Sequence, residues 1–175
     1  MNRCSIIKLQ RILKICTTNT QSIGLAEELN KQVVRQYIEA FNRQDTERLG
    51  QLVSSTYQTF QFSGMHSSMD WNRTKQFYAA FWSAFPDLRA KLEEIVAEGD
   101  KVTVRVINTG THKGEFQGMP PTGKKVSFGG RDFLTFSDGK IVEQLARVDM
   151  MELMQQIGAI PTLPSPATGT STSRS

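Results

Sequence analysis

An aspartate within a run of apolar residues is the feature of this sequence best suited to chemistry. Apolar and polar residues alternate around it as in a β-strand, which places Asp132 on one face with Leu134 and Phe136. A carboxylate on the apolar wall of a pocket has its charged form disfavoured, so its pKa rises toward neutrality. Asp132 is therefore a candidate general base or acid. The alternative is that Asp132 forms an ion pair with Arg105 or Arg131 and only stabilises the sheet.

Other polar residues are candidates for the same site. Gln144 lies in the next strand-like run, where its amide either hydrogen-bonds a ligand carbonyl or, as is more common, the backbone. His112 lies at a strand end and is either a proton carrier at the rim of a pocket or an exposed turn residue. Arg105 either reaches Asp132 or an anionic ligand, or lies exposed on the surface. His66 lies in a loop rich in Gly, Ser and Met, where we expect it to be solvated.

The residues that usually bind metals form no recognisable site. The two histidines, His66 and His112, lack carboxylates at a matching spacing. Both cysteines, Cys4 and Cys16, lie near the N-terminus, so the rest of the chain has neither a disulfide framework nor a thiolate site. We therefore expect no metal and no cofactor.

The net charge of +4 comes from the first 26 residues. That segment holds Arg3, Lys8, Arg11 and Lys14 and no acid, and subtracting these four from 21 basic residues leaves 17 against 17 acidic ones. The remainder is neutral, so the basic pI is no argument for nucleic acid binding. The sequence also has no run of about 18 or more apolar residues that could span a bilayer.

The two ends of the chain differ in composition from the middle. Residues 1–26 are basic and amphipathic, with a Thr/Ser-rich stretch, and fit an organelle transit peptide. An unstructured extension or an unused upstream start is the alternative. If this segment is a transit peptide, we expect the protein in mitochondria or plastids, and if it is not, we expect the protein in the cytoplasm. Residues 162–175 are rich in Pro, Ser, Thr and Gly and are expected to be disordered, which leaves 27–161 as the domain.

Apolar periodicity predicts helices in the first part of the domain. Apolar residues recur at helical spacing over residues 27–44. They recur again in a second segment after Asp45 and in a third, Trp71–Phe85, after Asp70. Asp45 and Asp70 are the expected N-caps of these two helices. Between the last two helices, residues 57–62 alternate aromatic and polar residues as in a strand. The aromatic residues of these segments are candidates for a pocket wall, although such residues more often belong to the core: Tyr37, Tyr57, Phe77 and Phe81.

From residue 88 the apolar period changes from helical to alternating. The predicted strands are Leu88–Ala97, Lys101–Thr111, Lys125–Phe136 and Lys140–Val148. Asp138-Gly139 joins the last two and is a strong hairpin signal, because a type I′ turn needs positive φ at both central residues. A short helix follows, capped by Asp149 and ended by Gly158. Helices followed by an antiparallel sheet indicate an α+β fold with a pocket between the two layers.

These elements and several short motifs together resemble the SnoaL-like polyketide cyclases, or ester cyclases, of the nuclear-transport-factor-2-like superfamily. The resemblance covers about residues 28–161. It rests on Ala84-Phe85-Pro86-Asp87-Leu88, Glu98-Gly99-Asp100, Gly110-Thr111-His112, Gly118-Met119-Pro120-Pro121-Thr122-Gly123 and Asp138-Gly139-Lys140-Ile141. It implies a cone-shaped, curved antiparallel sheet packed on the N-terminal helices, with a short C-terminal helix. It also implies a homodimer through the open face of the sheet.

The resemblance further implies a mainly apolar, oxygen-bearing small-molecule ligand and cofactor-free acid–base chemistry: cyclisation, isomerisation, dehydration or hydrolysis. The family's acid–base residues, an Asp and a His on the fourth strand, fall here on Ala146 and Gln144. We expect Asp132 to carry the proton, Gln144 to polarise a carbonyl, and His112 or Arg105 to assist. The expected ligand-binding residues are Arg105, Tyr37, Tyr57, Phe77, Phe81, Leu134, Phe136 and Ala146. The alternative is a non-catalytic ligand-binding or protein-interaction module that has lost the proton relay.

Overall fold

The computed structural model describes residues 3–61 and 68–161, with the side chains of residues 22–60 and 68–161. His66, most of the loop around it and the predicted disordered tail lie outside these residues. Within the described ranges no helix combines the length and the apolar character that crossing a membrane would require.

The described residues form four helices and six strands in the order that periodicity predicts, with three differences in the first part of the chain. The first helix begins at Arg3 rather than at residue 27, the first strand begins at Val53 rather than at residue 57, and a two-residue strand, Ser68–Met69, lies in the predicted loop. Asp45, Asp70 and Asp149 are N-caps, and each accepts a hydrogen bond from the backbone N–H of the third residue after it. The elements are α1 (Arg3–Arg43), α2 (Thr46–Leu52), β1 (Val53–Gln61), β2 (Ser68–Met69), α3 (Trp71–Ala84), β3 (Arg89–Glu98), β4 (Lys101–Thr111), β5 (Lys125–Ser137), β6 (Lys140–Val148) and α4 (Met150–Ile157).

The strands form one curved sheet in the order β2-β1-β6-β5-β4-β3. All neighbours are antiparallel except β1 and β6, which run parallel. At the turn between β5 and β6, Asp138 and Gly139 have φ of 51° and 71°, as the hairpin prediction requires. The prediction of an α+β cone, with a mostly antiparallel sheet on N-terminal helices and a short C-terminal helix, is confirmed.

The core lies between the helices and the inner face of the sheet, which is the face that the helices cover. Alternation along β4 and β5 sends every second side chain to this face. The most deeply buried apolar side chains come from both layers: Val34, Leu49, Tyr57, Phe85, Leu88, Val102, Phe128, Ile141, Leu153 and Ile157.

The helix α1 is fixed to the sheet by hydrogen bonds at two places. Near its C-terminal end, the amide of Asn42 donates to Ala90 O at 2.9 Å and accepts from Ala90 N at 2.7 Å. Further toward the N-terminus, Glu27 Oε1 accepts from Gly99 N at 2.8 Å. The second contact lies at the predicted start of the domain, while the role of residues 1–26 as a leader remains a prediction.

We expect Asn42→Ala to lower the free energy of unfolding by roughly 2 kcal/mol, because it removes both hydrogen bonds to Ala90 in a partly buried position. Urea denaturation followed by circular dichroism measures the loss. Arg43→Ala is the matched control, since that residue makes only an exposed ion pair with Glu39 on the same helix. Equal losses in the two variants would contradict the anchoring role of Asn42.

Candidate functional site

A cavity of about 90 Å³ lies between α1, α3 and the inner face of the sheet. Its walls are mainly apolar, and α1, α3 and β5 supply the aromatic side chains: Tyr37, Phe41, Phe77, Tyr78, Phe81 and Phe128. The inner faces of β4, β5 and β6 supply its few polar groups, Asn108, Asp132 and Gln144. Such a cavity, mostly apolar with a few convergent polar groups, is the usual form of a small-molecule site.

Asp132 lines this cavity from the centre of β5, directly between Val104 of β4 and Ala146 of β6. Burial raises the pKa of Asp132 to about 6, and a hydrogen bond from Gln144 partly opposes this rise. No basic side chain of the described residues forms an ion pair with the carboxylate. It is therefore ionised at pH 7 while remaining a stronger base than an ordinary aspartate.

The two arginines considered as partners of Asp132 lie on the outer face of the sheet, away from the helices. Arg105 is exposed there, with its Nε 3.3 Å from Glu94 Oε2. Arg131 lies directly opposite Arg105 in the sheet and is also exposed. Since neighbouring residues of a strand point to opposite faces, neither arginine reaches the cavity. The structure thus does not bring Arg105 together with the other expected site residues.

A buried hydrogen-bond network fixes the side chain of Gln144 beside Asp132. Its amide oxygen accepts from Tyr57 Oη at 2.6 Å and from Tyr37 Oη at 3.3 Å. Because this oxygen is occupied, the NH₂ group is left to donate to acceptors, and the carboxylate of Asp132 is one of them. Gln144 therefore bonds other side chains rather than the backbone.

The tyrosines of this network are neutral hydrogen-bond donors. The hydroxyls of Tyr37 and Tyr78 lie 2.9 Å apart. Burial raises the pKa of Tyr57 to about 12, and burial also raises the pKa of Tyr37 and of Tyr78 well above the ordinary value. Tyr78 was not among the expected site residues, although its position next to Phe77 on the same apolar stripe of α3 could have indicated it.

The remaining expected ligand-binding residues divide into two groups. Phe77, Phe81 and Ala146 line the cavity together with Tyr37. Leu134 and Phe136 are buried in the core but do not form its wall, and Tyr57 reaches the site only through its bond to Gln144.

His112 lies away from the cavity, packed inside the loop between β4 and β5. Its side chain is fully buried, with its ring stacked on Phe85 at 5.2 Å and its Nδ1 3.1 Å from Thr122 Oγ1. Burial lowers the pKa of His112, so the ring is neutral at pH 7. It is neither an exposed turn residue nor a proton carrier at the rim, and its contacts hold the loop.

Asn108 is a polar cavity residue of the sheet that the sequence reasoning also missed. It lies on β4, is 7% exposed, and faces the cavity on the same side as Val104 and Val106. The alternation used for β5 would have identified it if it had been applied to β4 as well.

Comparison with known proteins agrees with this architecture. The family model of SnoaL-like polyketide cyclases matches residues 31–157. The solved structure of AclR, a proposed hydroxylase from Streptomyces galilaeus, is 30% identical with a TM-score of 0.72 and covers 79% of this chain and 86% of its own. IdmH, a proposed polyketide cyclase from Streptomyces antibioticus, is 27% identical with a TM-score of 0.67 over 74% of this chain and 98% of its own. Among proteins of curated function, none matches this sequence.

We expect Asp132→Asn to stabilise the fold at neutral pH relative to the wild type, and to do so less at pH 4. Because the folded state raises the pKa of Asp132 from 3.8 to about 6, folding favours its protonated form. Stability from this group is therefore present below about pH 4 and is lost as the pH rises through 6. The difference between the variants should grow by up to about 3 kcal/mol over this range, at about 1.4 kcal/mol per pKa unit.

Thermal and urea unfolding between pH 4 and pH 8 measure this difference. Asp138→Asn is the matched control, because it makes the same change at an exposed turn where asparagine suits the positive φ. Parallel stability curves for the wild type and Asp132→Asn would show that the carboxylate does not carry the pH dependence.

Proposed function

The chain belongs to the SnoaL-like polyketide cyclase family, and from this premise we propose that its cavity binds a mainly apolar, oxygen-bearing small molecule and catalyses proton transfer on it. The reaction is cofactor-free and of the type used in cyclisation, isomerisation or hydrolysis. The observation that carries the proposal is Asp132, an unpaired carboxylate in an aromatic-walled cavity with a pKa raised to about 6.

In the proposed step, the carboxylate of Asp132 removes a proton from a carbon next to a carbonyl of the ligand. The electron pair of the broken C–H bond forms the C=C bond of an enolate, and the carbonyl oxygen takes the negative charge. The hydroxyl hydrogen of Tyr37 is used in its bond to Gln144, so the neutral hydroxyl of Tyr78, which lies in the same cavity, is the one suited to donate to this oxygen, exchanging its bond to Tyr37 for one to the ligand. The enolate carbon then attacks a second carbonyl, which closes a ring and leaves an alkoxide that takes the proton from Asp132. Alternatively, Asp132 returns the proton to a different carbon of the conjugated enolate, which isomerises the ligand.

Gln144 serves this step as a positioning residue. The sequence suggests that it polarises the ligand carbonyl, but the bonds from Tyr37 and Tyr57 occupy its amide oxygen, and its NH₂ group donates to Asp132. It therefore orients the carboxylate, and the hydroxyl of Tyr78 replaces it as the donor to the carbonyl.

A second function, ligand binding without catalysis, is favoured by one specific observation. Ala146, which occupies a position expected to hold an acid–base residue, has no titratable group and lies directly opposite Asp132. A cavity of this kind retains a ligand equally well without turnover. The two functions differ in whether the ligand exchanges protons with the protein.

We expect the full-length protein to accelerate exchange of the C2 hydrogens of 1-tetralone in D₂O, and Asp132→Asn to reduce this rate about 100-fold or more. The rate should rise with pH through about 6, since the ionised form of Asp132 is the base. Deuterium uptake followed by NMR and mass spectrometry measures the exchange.

Asp138→Asn controls for the loss of a carboxylate and should exchange at the wild-type rate. Binding of 1-tetralone without accelerated exchange would support the non-catalytic function. Equal exchange rates in Asp132→Asn and the wild type would show that Asp132 is not the base.

We also propose that the protein forms a homodimer through the outer face of its sheet. Val96, Thr103, Phe133 and Leu145 lie directly beside one another across four strands on this face. Val96 is 58% and Phe133 is 48% exposed, which makes this row an apolar patch. The next row includes three exposed arginines, and interfaces are enriched in both aromatic residues and arginine: Arg105, Arg131 and Arg147.

We expect Phe133→Lys to convert the dimer into monomers, because it places a charge in the centre of the apolar row. Sedimentation velocity at several concentrations measures the association state. Thr109→Lys adds the same charge to an exposed site further along the outer face and should leave the dimer intact. A wild-type protein that sediments as a monomer would overturn the dimer proposal.

A further inference from the structure

A buried amide on the inner face of β4 has no hydrogen-bond partner among the residues that the structure describes. Asn108 is 7% exposed and lines the cavity, and the described residues provide its side chain with no hydrogen bond. Buried polar side chains are normally paired, and an unpaired one costs about 1–3 kcal/mol. Since the amide faces the cavity, a partner for it must come from what the cavity contains.

The floor of the cavity between Asn108 and Asp132 is kept free of side chains by a glycine. Gly130 lies on the inner face of β5, directly opposite Val106, one row from each of the two polar residues. A Cβ at this position would lie 3.0 Å from Val106 Cγ2 and 3.2 Å from Asn108 Nδ2. Glycine therefore leaves room for the amide of Asn108 on the floor of the cavity.

The distance between the two polar groups decides whether one ligand can contact both of them. Asp132 lies opposite Val104, and Asn108 is four residues further along β4, which separates the two Cα positions by roughly 13 Å of strand. The amide itself reaches back toward Asp132, because its Nδ2 lies 3.2 Å from the position of a Cβ on Gly130, midway between the two rows. The two polar groups are therefore closer together than their Cα atoms, and one small molecule can contact both.

We propose that the ligand is a ketone with a second oxygen substituent, which places its acidic C–H at Asp132 and its second oxygen at the amide of Asn108. This inference rests on the proposed function and adds the substrate class and the residue that selects it. An amide both donates and accepts, so the second oxygen is either a hydroxyl or a carbonyl. The rings of Phe77, Phe81 and Phe128 form the apolar wall along the ligand.

Two ketones that differ in one oxygen test this role of Asn108. The probes are 1-tetralone and 6-hydroxy-1-tetralone, whose hydroxyl lies at the end of the ring system opposite the carbonyl. Isothermal titration calorimetry on the full-length protein should show that the hydroxylated ketone binds about tenfold more tightly, which is the gain from one well-made hydrogen bond. Asn108→Leu keeps a side chain of similar size but cannot form this bond, so the preference should disappear.

Gly130→Ala is a second variant, which perturbs the contact between Asn108 and the ligand without changing the amide group itself. Its methyl group would crowd Nδ2 of Asn108 and occupy the floor under the ligand, so it should also reduce the preference.

In exchange kinetics, Asn108→Leu should raise KM for the hydroxylated ketone more than for 1-tetralone, and should change kcat less than KM. A packing defect alone would affect the two ketones equally.

Different experimental results would overturn the proposal for Asn108 and the proposal for Asp132. Equal affinity of the wild type for the two ketones, or a preference that survives in Asn108→Leu, would overturn the role of Asn108 even if exchange depends on Asp132. Conversely, a preference that Asn108→Leu abolishes, in a protein that catalyses no exchange, would confirm the binding geometry and overturn the catalytic function.

Discussion

The structure depends on placing one carboxylate in an apolar cavity beside a chain of hydrogen-bonded side chains. Asp132 is bonded by the amide of Gln144, and that amide is in turn bonded by the hydroxyls of Tyr37 and Tyr57, while Tyr78 bonds Tyr37. A partly satisfied network of this kind would cost more than an apolar core, because low polarity strengthens both the bonds made and the penalty for bonds missing. The tyrosines come from α1, β1 and α3, so the same network that orients the carboxylate also joins the helices to the sheet.

This network requires β1 to lie beside β6, which no local pattern in the sequence indicates. The two strands run parallel, with Thr59 of β1 directly opposite Gln144 of β6, and this places the nearby Tyr57 within reach of the amide. Pairing between segments so distant in the chain is decided by the packing of the whole domain. The sequence therefore indicated that Gln144 belongs to the site, but it indicated neither the hydrogen-bond partners of Gln144 nor its role in positioning Asp132.

Sequence patterns predicted the structure best where residues close together in the chain determine it. Asp45, Asp70 and Asp149 cap helices as predicted, since a capping side chain needs only the backbone N–H groups that follow it. Strict alternation along β6 would place Val142 on the inner face with Gln144, but the strand does not follow it there. Val142 is an extra residue without a partner on β5, and at this bulge Ile141 faces the core instead. Alternation holds from Gln144 onward, which is why Ala146 lines the cavity as expected.

The same cross-strand geometry explains how a single carboxylate on β5 can replace an acid–base residue on β6. The resemblance assigns the family's acid–base positions to Gln144 and Ala146, and Ala146 lies directly opposite Asp132. Side chains at opposed positions of antiparallel strands have Cβ atoms only about 5 Å apart and point to the same face. A carboxylate on either strand therefore reaches nearly the same point in the cavity, and the small side chain of Ala146 leaves it the space to do so. The site therefore contains a carboxylate although position 146 has no titratable side chain, because Asp132 supplies it from the neighbouring strand.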